Sequence, residues 1–363
     1  MYYIGLISGT SMDAVEGVLA DFETTPPTVV AAHADTIPIA IRERLKQAST
    51  DMPLVDVMTL DSRVADLFAS VANSLMQSAG LKHDSVTAIG SHGQTLWHAP
   101  AGRPAWTLQI GDPNRIAFGS GLTTVADFRR MDMAAGGEGA PLAPLFHDAM
   151  FRGNTTRVVL NLGGIANITI LPANASAPVS GFDTGPANTL LDAWAWRYLQ
   201  EPCDRNGAWA ADGRVIPELL RLLLADPYFQ QPPPKSTGPE YFNLDWFGQH
   251  IEERHAPADV QATLVQLTAE SVATAVGQQA PDCREVIACG GGVNNPVLMR
   301  ALADTLSPRQ LTTTSRYDLP PDKIEALCFA WLARERLAGR TLAVPAITGA
   351  DQPVLLGGIY QPY

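Results

Sequence analysis

YIGLISGTSMDAVEGVLADF, at residues 3–22, contains two apolar runs on either side of a small polar turn. The runs, residues 3–8 and 15–19, form a pattern that predicts a β-hairpin. The turn holds glycine, hydroxyl groups and the carboxylate of Asp13. Because glycine lets the main chain approach a ligand, such a turn can surround a phosphate. An acid facing that phosphate is favourable only with Mg²⁺ between them, so the stretch is either an ordinary surface turn or a phosphate site with a metal.

A second stretch of the same design begins at Val158 and contains VVLNLGGIANITILP. It has an apolar run, a Gly163-Gly164 turn and another apolar run, which indicates a duplicated α/β fold with one hairpin in each half. A third stretch, ACGGGVNNPVLMRALA at residues 288–303, follows an apolar run and leads into a predicted helix. That order suits a nucleotide near the helix N-terminus. Together the stretches predict a cleft for a nucleoside triphosphate between two domains.

The composition describes a globular protein and limits its partners. The 363 residues are too many for one ordinary core and fit two domains. With 25 basic and 37 acidic residues, the formal charge is -12, which argues against nucleic acid or an anionic membrane surface as the main partner. The four cysteines show no paired metal spacing, and we expect reduced thiols in a cytoplasmic protein. We also expect no signal peptide and no membrane span.

Polar residues follow two predicted strands of the first half. Residues 86–90 precede SHGQTLWHAP, and residues 124–126 precede Asp127. Because α/β proteins bind ligands at the carboxyl ends of strands, these positions are candidates for substrate contacts. His92 is either a hydrogen-bonded structural histidine or a ligand residue. Arg130 can bind a carboxylate or phosphate through parallel hydrogen bonds, although a solvated loop is the usual meaning of such a charged cluster.

Two acids of the second half precede or begin predicted helices. Asp183 lies in GFDTGPANTLLDAW, just outside a helix whose first turn includes Pro186. Its carboxylate is either a helix cap or a base that takes a proton from a nucleophile beside a transferring phosphoryl group. The helix dipole is expected to keep it ionised, as a base must be. Glu325 is either a helix-dipole acid or a ligand of sugar hydroxyls.

The glycine-rich residues 136–141 form a candidate hinge, and we place the domain boundary there. The first predicted domain comprises residues 1–135 plus 340–363, with the tail packing back on it. The second comprises residues 136–339 and carries the glycine turns that follow Val158.

The order of these motifs resembles the anhydro-N-acetylmuramic acid kinase family, within the superfamily of sugar kinases, heat-shock chaperones and actin. The matching stretches cover nearly the whole chain and include GLISGTSMDAVEGVL, IGSHGQTLWH, VADFRRMDMAAGGEGAPLAPLFH, LNLGGIANIT, GFDTGPANTLLDAW, PKSTGPEYFN and ACGGGVNN. The combination of GTSMD, SHGQT and FDTGPAN is the specific part, since a general ATPase of this fold shares only the glycine turns. One departure is Ala14, followed by Glu16, where members usually carry glycine and aspartate; Ala14 must avoid positive φ.

The resemblance implies a duplicated two-domain actin-like ATPase fold of the α/β class with a central interdomain cleft. It also implies an enzyme that uses ATP and Mg²⁺ to phosphorylate O6 of 1,6-anhydro-N-acetylmuramic acid while water opens the anhydro ring at C1. The product would be N-acetylmuramic acid 6-phosphate, formed in peptidoglycan recycling by a chain that is a homodimer in this family.

The resemblance assigns roles to residues by their position in the motifs. Asp183 would activate the water, and Asp13 would face the metal-bound waters. Arg130 would bind the lactyl carboxylate, unless the neighbouring Arg129 does. The sugar would be bound by Thr95, Asp127, Arg130 and Glu325. The nucleotide would be held by Gly9, Thr10, Ser11, Met12, Asp13, Ala14, Val15, Glu16, Gly163, Gly164, Gly290, Gly291 and Gly292.

Three other functions fit parts of the sequence. A kinase of an ordinary hexose would need its base beside a sugar hydroxyl rather than a water, and the sequence does not separate these geometries. A non-catalytic nucleotide-dependent switch would bind ATP and hydrolyse it slowly without any sugar; Asp183 and the cluster around Asp127 and Arg130 count against it. An NAD-dependent dehydrogenase is disfavoured, because GxGxxG with its distant acid is missing from a first βαβ unit.

Overall fold

The computed structural model describes residues 1–9, 12–102 and 104–363. The chain forms two compact units, which we call unit 1 (Met1–Phe146 with Asp318–Tyr363) and unit 2 (His147–Tyr317). The predicted Thr10 and Ser11 lie outside the described residues. No helix in the described ranges is long and apolar enough to cross a membrane.

Unit 1 contains one mixed sheet with helices packed against it. Its strands are β1 (Tyr2–Ser8), β2 (Ala14–Asp21), β3 (Thr28–Thr36), β4 (Val86–Ala99), β5 (Trp106–Ile110), β6 (Thr124–Ala126) and, near the end of the chain, β12 (Gly358–Tyr360). Its helices are α1 (Ile39–Lys46), α2 (Leu54–Ala79), α3 (Pro113–Ser120), α4 (Arg130–Ala134), the first residues of α5 (Ala143–Phe151), α13 (Ile324–Leu337) and α14 (Pro345–Thr348).

Unit 2 has a second mixed sheet and its own helices. Its strands are β7 (Arg157–Leu162), β8 (Ile165–Leu171), β9 (Ser180–Pro186), β10 (Glu285–Cys289) and β11 (Gln310–Thr313). Its helices are α6 (Asn188–Leu199), α7 (Ala208–Asp212), α8 (Pro217–Leu224), α9 (Pro227–Gln230), α10 (Leu244–Gly248), α11 (Pro257–Gln279) and α12 (Pro296–Leu306).

The two sheets repeat one topology, which confirms the predicted duplication. In unit 1 the order β6-β4-β1-β2-β3 has β1, β2 and β3 antiparallel and β4 and β6 added in parallel beside β1. In unit 2 the order β11-β10-β7-β8-β9 repeats this arrangement, with β10 and β11 added in parallel beside β7. The hairpins β1–β2 and β7–β8 are those predicted from the apolar runs. Unit 1 adds β5 and β12 as antiparallel strands.

Apolar side chains between sheet and helices form a separate core in each unit. In unit 1, Leu6 and Leu19 of the hairpin pack in one cluster with Phe68 of α2. In unit 2, Leu160 of β7 packs in one cluster with Leu264 of α11. All five side chains are almost fully buried. Each hairpin therefore contributes apolar side chains to the core of its own unit.

Helix α13 lies so close to the sheet of unit 1 that two strand positions require glycine. A Cβ atom added to Gly5 of β1 would lie 1.8 Å from the backbone oxygen of Ala326, and one added to Gly90 of β4 would lie 1.9 Å from that of Phe329. This packing explains why the compact units differ from the predicted domains. The predicted boundaries at residues 136 and 339 would assign α13 to the second domain, whereas its contacts assign it to unit 1.

Two predicted element boundaries are wrong. The strand expected at residues 86–90 continues to Ala99, because its second part pairs antiparallel with β5 beyond the parallel pairing with β1. Pro186 ends β9 rather than beginning a helix, since it pairs with Ile165 of β8. Helix α6 begins two residues later, at Asn188. Pairing with distant segments decided both cases, and at Pro186 it overrode the local helix signal.

Candidate active site

The turn of the first hairpin brings a left-handed residue and an exposed acid together. The backbone N–H of Met12 donates to the Gly9 oxygen at 3.1 Å, and Met12 itself takes positive φ, at 56°. Asp13 follows with its side chain 62% exposed, and Arg42 Nη1 lies 3.2 Å from its Oδ1. The turn thus presents a carboxylate to solvent beside a backbone that is folded back on itself.

The residues after the turn lie in β2, which limits what they can contact. Ala14 lies within the strand and is absent from the positive-φ positions, so alanine there is compatible with the turn, as expected. The Val15 side chain is fully buried in the core, so only its main chain faces a potential ligand. Glu16 lies 3.8 Å from Lys323 Nζ. The roles of these three residues in nucleotide binding stay predictions.

Asp127 and Arg130 line one cavity of about 300 Å³ in unit 1. Arg130 Nη1 lies 3.6 Å from Asp127 Oδ2, and the Arg130 side chain is 56% exposed. Burial raises the pKa of the Asp127 carboxyl, and the Arg130 cation opposes this. Asp127 also takes positive φ, at 59°, a conformation that costs free energy in a non-glycine residue. The cavity therefore has an acceptor and a cation on one wall.

The neighbouring Arg129 is held by protein groups rather than facing the cavity. Its Nη2 and Nε donate to His92 Nε2 at 2.9 and 3.3 Å, and its Nη1 donates to the Gly139 oxygen at 2.8 Å. Since arginine only donates, His92 is neutral and carries its proton on Nδ1, which donates to the Gly93 oxygen at 3.0 Å. Burial lowers the pKa of Arg129 to about 10 and that of His92 well below its usual value.

The two other predicted sugar ligands do not line this cavity. Thr95 lies in β4, where its Oγ1 accepts from Gln109 Nε2 at 3.2 Å, and Gln109 does line the cavity. Glu325 is exposed in the first turn of α13, and its negative charge raises the pKa of Arg129. The structure thus brings Asp127 and Arg130 together in this cavity, and it connects Thr95 to the cavity through one hydrogen bond to Gln109.

Asp183 lies in the edge strand β9 rather than just outside a helix. Its Oδ2 accepts from the backbone N–H of Thr237 at 3.0 Å. Burial raises the pKa of its carboxyl to about 6, the Thr237 N–H opposes this rise and the charge of Glu240 adds to it. Burial rather than a helix dipole therefore dominates the pKa of Asp183, which four residues separate from the start of α6. A carboxylate with this pKa is still mostly ionised at neutral pH and is a good proton acceptor.

The glycine turn of the second hairpin meets the start of α6. The backbone N–H of Asn188 donates to the Gly163 oxygen at 3.1 Å, and that of Thr189 donates to the Gly164 oxygen at 3.0 Å. These bonds use carbonyl groups of the turn, so its amides face elsewhere. A Cβ atom on Gly164 would lie 2.6 Å from Thr189 Oγ1, which explains the glycine.

The third glycine stretch follows β10 and contributes to a cavity of about 490 Å³ in unit 2. Gly290 has φ 85°, and a Cβ atom there would lie 2.5 Å from Asn161 Oδ1, so both conformation and space require glycine. Gly291 and Gly292 line the cavity, and Gly291 is exposed. Both glycines belong to a short 3₁₀ turn, Gly291–Asn294, and Asn295 then caps α12 by accepting from the N–H groups of Val297 and Leu298.

Several residues that line the two cavities were not among the predicted site residues. In unit 1 they are Asp61, Gln109, Asp112 and Tyr360, and in unit 2 they are Asn188, Asp192, Arg205 and Asn295. Asn295 had a local signal, because Asn before Pro opens a helix. Tyr360 had none, since it reaches the cavity only through the pairing of β12 with β6.

The fold defines the class of protein. The activator of 2-hydroxyisocaproyl-CoA dehydratase from Clostridium difficile, solved with bound ADPNP, aligns with a TM-score of 0.50 at 15% identity, over 93% of this chain and 96% of that chain. This likeness is one of fold alone. The predicted α/β class with a duplicated two-domain actin-like ATPase fold is confirmed.

Sequence comparison gives the family. A family model described as anhydro-N-acetylmuramic acid kinase matches residues 1–362. The anhydro-N-acetylmuramic acid kinase of Coxiella burnetii is 48% identical over 362 residues, 99% of this chain and 97% of that protein. The protein of the same name from Xanthomonas axonopodis pv. citri is 49% identical over 371 residues, again 99% and 97%. The chain belongs to the anhydro-N-acetylmuramic acid kinase family.

Proposed function

We propose that this chain is the kinase that converts 1,6-anhydro-N-acetylmuramic acid, water and ATP into N-acetylmuramic acid 6-phosphate and ADP. The family match across residues 1–362 carries this proposal. The reaction serves peptidoglycan recycling and belongs in the cytoplasm, where ATP is available. The family resemblance also favours a homodimer, which sedimentation of the purified chain would test.

Asp183 is the base in this proposal. It takes a proton from the attacking water, whose oxygen bonds to C1 of the sugar while the C1–O6 bond breaks. O6 keeps the electron pair, attacks the γ-phosphorus without a base of its own, and displaces ADP. The raised pKa of Asp183, about 6, supports this role, because a base with a pKa near the working pH both is ionised and holds a proton well.

The cavity of unit 1 supports binding of the sugar by Asp127 and Arg130. The Arg130 side chain is the more exposed of the two adjacent arginines, whereas Arg129 is engaged by His92 and Gly139. Arg130 is therefore the better partner of the lactyl carboxylate, to which a guanidinium donates two parallel hydrogen bonds. Thr95 and Glu325 complete the set of sugar ligands in the proposal.

The glycine turns supply the nucleotide side. The first hairpin turn binds the β- and γ-phosphates through its backbone, and the glycines after β7 and β10 bind the rest of the nucleotide. The cavity beside Gly291 and Gly292 is lined by Asn188, Arg205 and Asn295, which offer donors to a sugar or phosphate. Catalysis of phosphoryl transfer depends chiefly on such positioning and on charge stabilisation.

Asp13 fits a partial set of ligands for Mg²⁺. Among the described residues no cluster of three or more His, Cys, Asp or Glu could hold a metal. Mg²⁺ keeps several waters and uses one or two carboxylates together with substrate phosphates, so one exposed acid beside a phosphate turn suffices. When bound, the ion would neutralise charge on the phosphates.

A phosphoryl-transfer assay in water labelled with heavy oxygen tests the function. ATP and Mg²⁺ are supplied with anhydro-N-acetylmuramic acid, N-acetylmuramic acid or glucose. We expect ADP with the anhydro sugar alone, and label at C1 of a 6-phosphate product. Product without label, or faster reaction of an open sugar, would indicate an ordinary hexose kinase. Release of ADP that is indifferent to every sugar would indicate a nucleotide-dependent switch.

A further inference from the structure

The backbone of Asp183 is held from outside its own sheet. Because β9 is an edge strand of its sheet, no strand among the described residues pairs with one of its two sides. On that side the backbone N–H of Asp183 donates to the Lys235 oxygen at 3.1 Å, and its carbonyl accepts from the Tyr228 hydroxyl at 2.8 Å. Edge groups that are shielded from water need such partners. Here both partners come from one short segment, residues 228–235.

The chain just beyond this segment also donates a hydrogen bond to the Asp183 carboxylate, and to only one of its two oxygens. The backbone N–H of Thr237 donates to Asp183 Oδ2, while no hydrogen bond from a described residue reaches Oδ1. The Thr237 hydroxyl is buried without a hydrogen-bond partner in the described part of the chain. Thr237 therefore acts on Asp183 through its main chain, and Oδ1 is the oxygen left to react.

We call residues 235–237 the strap. Tyr228 and the strap hold each other in place. Lys235 Nζ donates to the backbone carbonyl oxygen of Tyr228 at 2.9 Å and lies 4.5 Å from the centre of the Tyr228 ring. The Tyr228 side chain is almost fully buried and packs edge-on against Phe242 at 5.2 Å. Asp226 caps the short helix by accepting from the Tyr228 N–H. The hydroxyl of Tyr228 thus has a fixed position relative to β9.

We propose that Tyr228 and the strap are positioning residues, which hold Asp183 so that its Oδ1 receives the proton of the attacking water. The inference rests on the proposed role of Asp183 as the base. Tyr228 touches no reacting atom; it fixes the main chain from which the base extends. A base displaced by a fraction of an ångström loses much of its effect, because proton transfer requires close alignment.

Tyr228→Phe tests the proposal, because it removes only the hydroxyl that donates to Asp183. We expect kcat to fall about 10-fold or more, with KM for ATP and for the sugar within about twofold of the original values. The acid limb of the kcat profile moves to higher pH, since the Thr237 N–H that opposes the rise in pKa is no longer aligned.

Tyr317→Phe is the matched control, because it also removes one tyrosine hydroxyl that donates to another residue of unit 2. The Tyr317 hydroxyl donates to Glu285 Oε2 at 2.8 Å, and among the described residues no hydrogen bond links either residue to Asp183, Tyr228 or residues 235–237. We expect its kcat and pH profile to equal those of the original protein. A Tyr228→Phe enzyme that also matches the original in kcat and in pH profile would overturn the proposal.

Two further variants keep the test decisive. If Tyr228→Phe does not fold, Lys235→Met is used in its place. We expect a smaller fall in kcat and the same shift of the acid limb of the kcat profile to higher pH. An unchanged dependence of kcat on pH would again overturn the proposal. Asp183→Asn is assayed in parallel. If it is active, the role of the base fails together with this inference. If it is inactive while Tyr228→Phe is normal, only the positioning role fails.

Discussion

Asp183 is an acid whose ionised form is disfavoured by its surroundings. We expect Asp183→Asn to keep the fold and to lower kcat by about 10²- to 10⁴-fold, the usual contribution of a positioned base. The amide oxygen can still accept from the Thr237 N–H, so the local structure survives. Steady-state turnover and circular dichroism of the purified variant measure both effects. Normal turnover in a folded variant would remove Asp183 from the mechanism.

The same variant has an expected effect on stability. Because the folded state raises the pKa of Asp183 from 3.8 to about 6, the contribution of this group to the free energy of unfolding is lost as pH rises through that range. At about pH 8, Asp183→Asn is therefore more stable than the original by up to about 3 kcal/mol, and at about pH 4 the two are equal. Urea unfolding at both pH values measures this difference. If Asp183→Asn gained the same free energy of unfolding at both pH values, the burial of the Asp183 charge would be contradicted.

Arg130 is expected to determine selectivity for sugars with a lactyl group. Arg130→Ala should raise KM for anhydro-N-acetylmuramic acid about 10- to 100-fold, because it removes a charge-assisted pair of hydrogen bonds. KM for 1,6-anhydro-N-acetylglucosamine, which lacks the lactyl group, should change little. Arg115→Ala is the control, since Arg115 pairs with Asp66 outside the cavity. Equal losses for both sugars would contradict the carboxylate role.

At the scale of elements, the contact of α13 with β4 leaves no room for a side chain. Gly90→Ala places a Cβ atom 1.9 Å from the Phe329 oxygen, so helix and strand must separate. We expect a loss of unfolding free energy of about 3 kcal/mol or more, the upper range for overpacking, or failure to fold.

Gly277→Ala is the control for this contact. Gly277 lies inside α11, and an added Cβ atom meets no atom within 4 Å. This variant should gain about 0.5–1 kcal/mol, since alanine is the better helix former. Thermal and urea unfolding of both variants measure the difference. If Gly90→Ala proved as stable as the original, the close approach of α13 would be wrong.

At the scale of the whole molecule, each unit contains a buried neutral histidine. His92 in unit 1 and His147 in unit 2 both have lowered pKa values, that of His147 falling to about 3 through burial. His147 Nδ1 is hydrogen-bonded to Thr169 Oγ1 at 2.9 Å. A histidine with a lowered folded pKa contributes stability that is present above about pH 6.5 and lost as pH falls, because the unfolded state binds the proton more readily.

His147→Gln is therefore expected to reduce the acid sensitivity of unfolding. Between about pH 6 and pH 4.5, the free energy of unfolding of the original protein should fall about 1.4 kcal/mol per pH unit more steeply than that of the variant. Urea unfolding across this range gives both slopes, and the shifted carboxyl groups affect both proteins alike. His83→Gln, at an exposed position, should leave the slope unchanged. Parallel slopes for His147→Gln would show that His147 is not buried in its neutral form.

Elements with a local sequence pattern could be predicted from the sequence alone. Apolar runs on either side of GTSMD and of Gly163-Gly164 predicted both hairpins, and the strand, glycine and helix order predicted the segment around Gly290. A turn needs glycine or a left-handed residue at fixed positions, and a strand that is buried on both faces needs a continuous apolar run. The motif order also sufficed for the family.

Features that depend on a partner distant in the chain could be read only from the folded protein. β5 extends β4 to Ala99, and pairing with β8 keeps Pro186 in a strand where the local signal favoured a helix. The pKa of Asp183 depends on its burial, and the distinction between Arg129 and Arg130 depends on His92, which lies on another strand. Sheet pairing, burial and hydrogen bonds between remote residues are set by packing, and therefore no local pattern contains them.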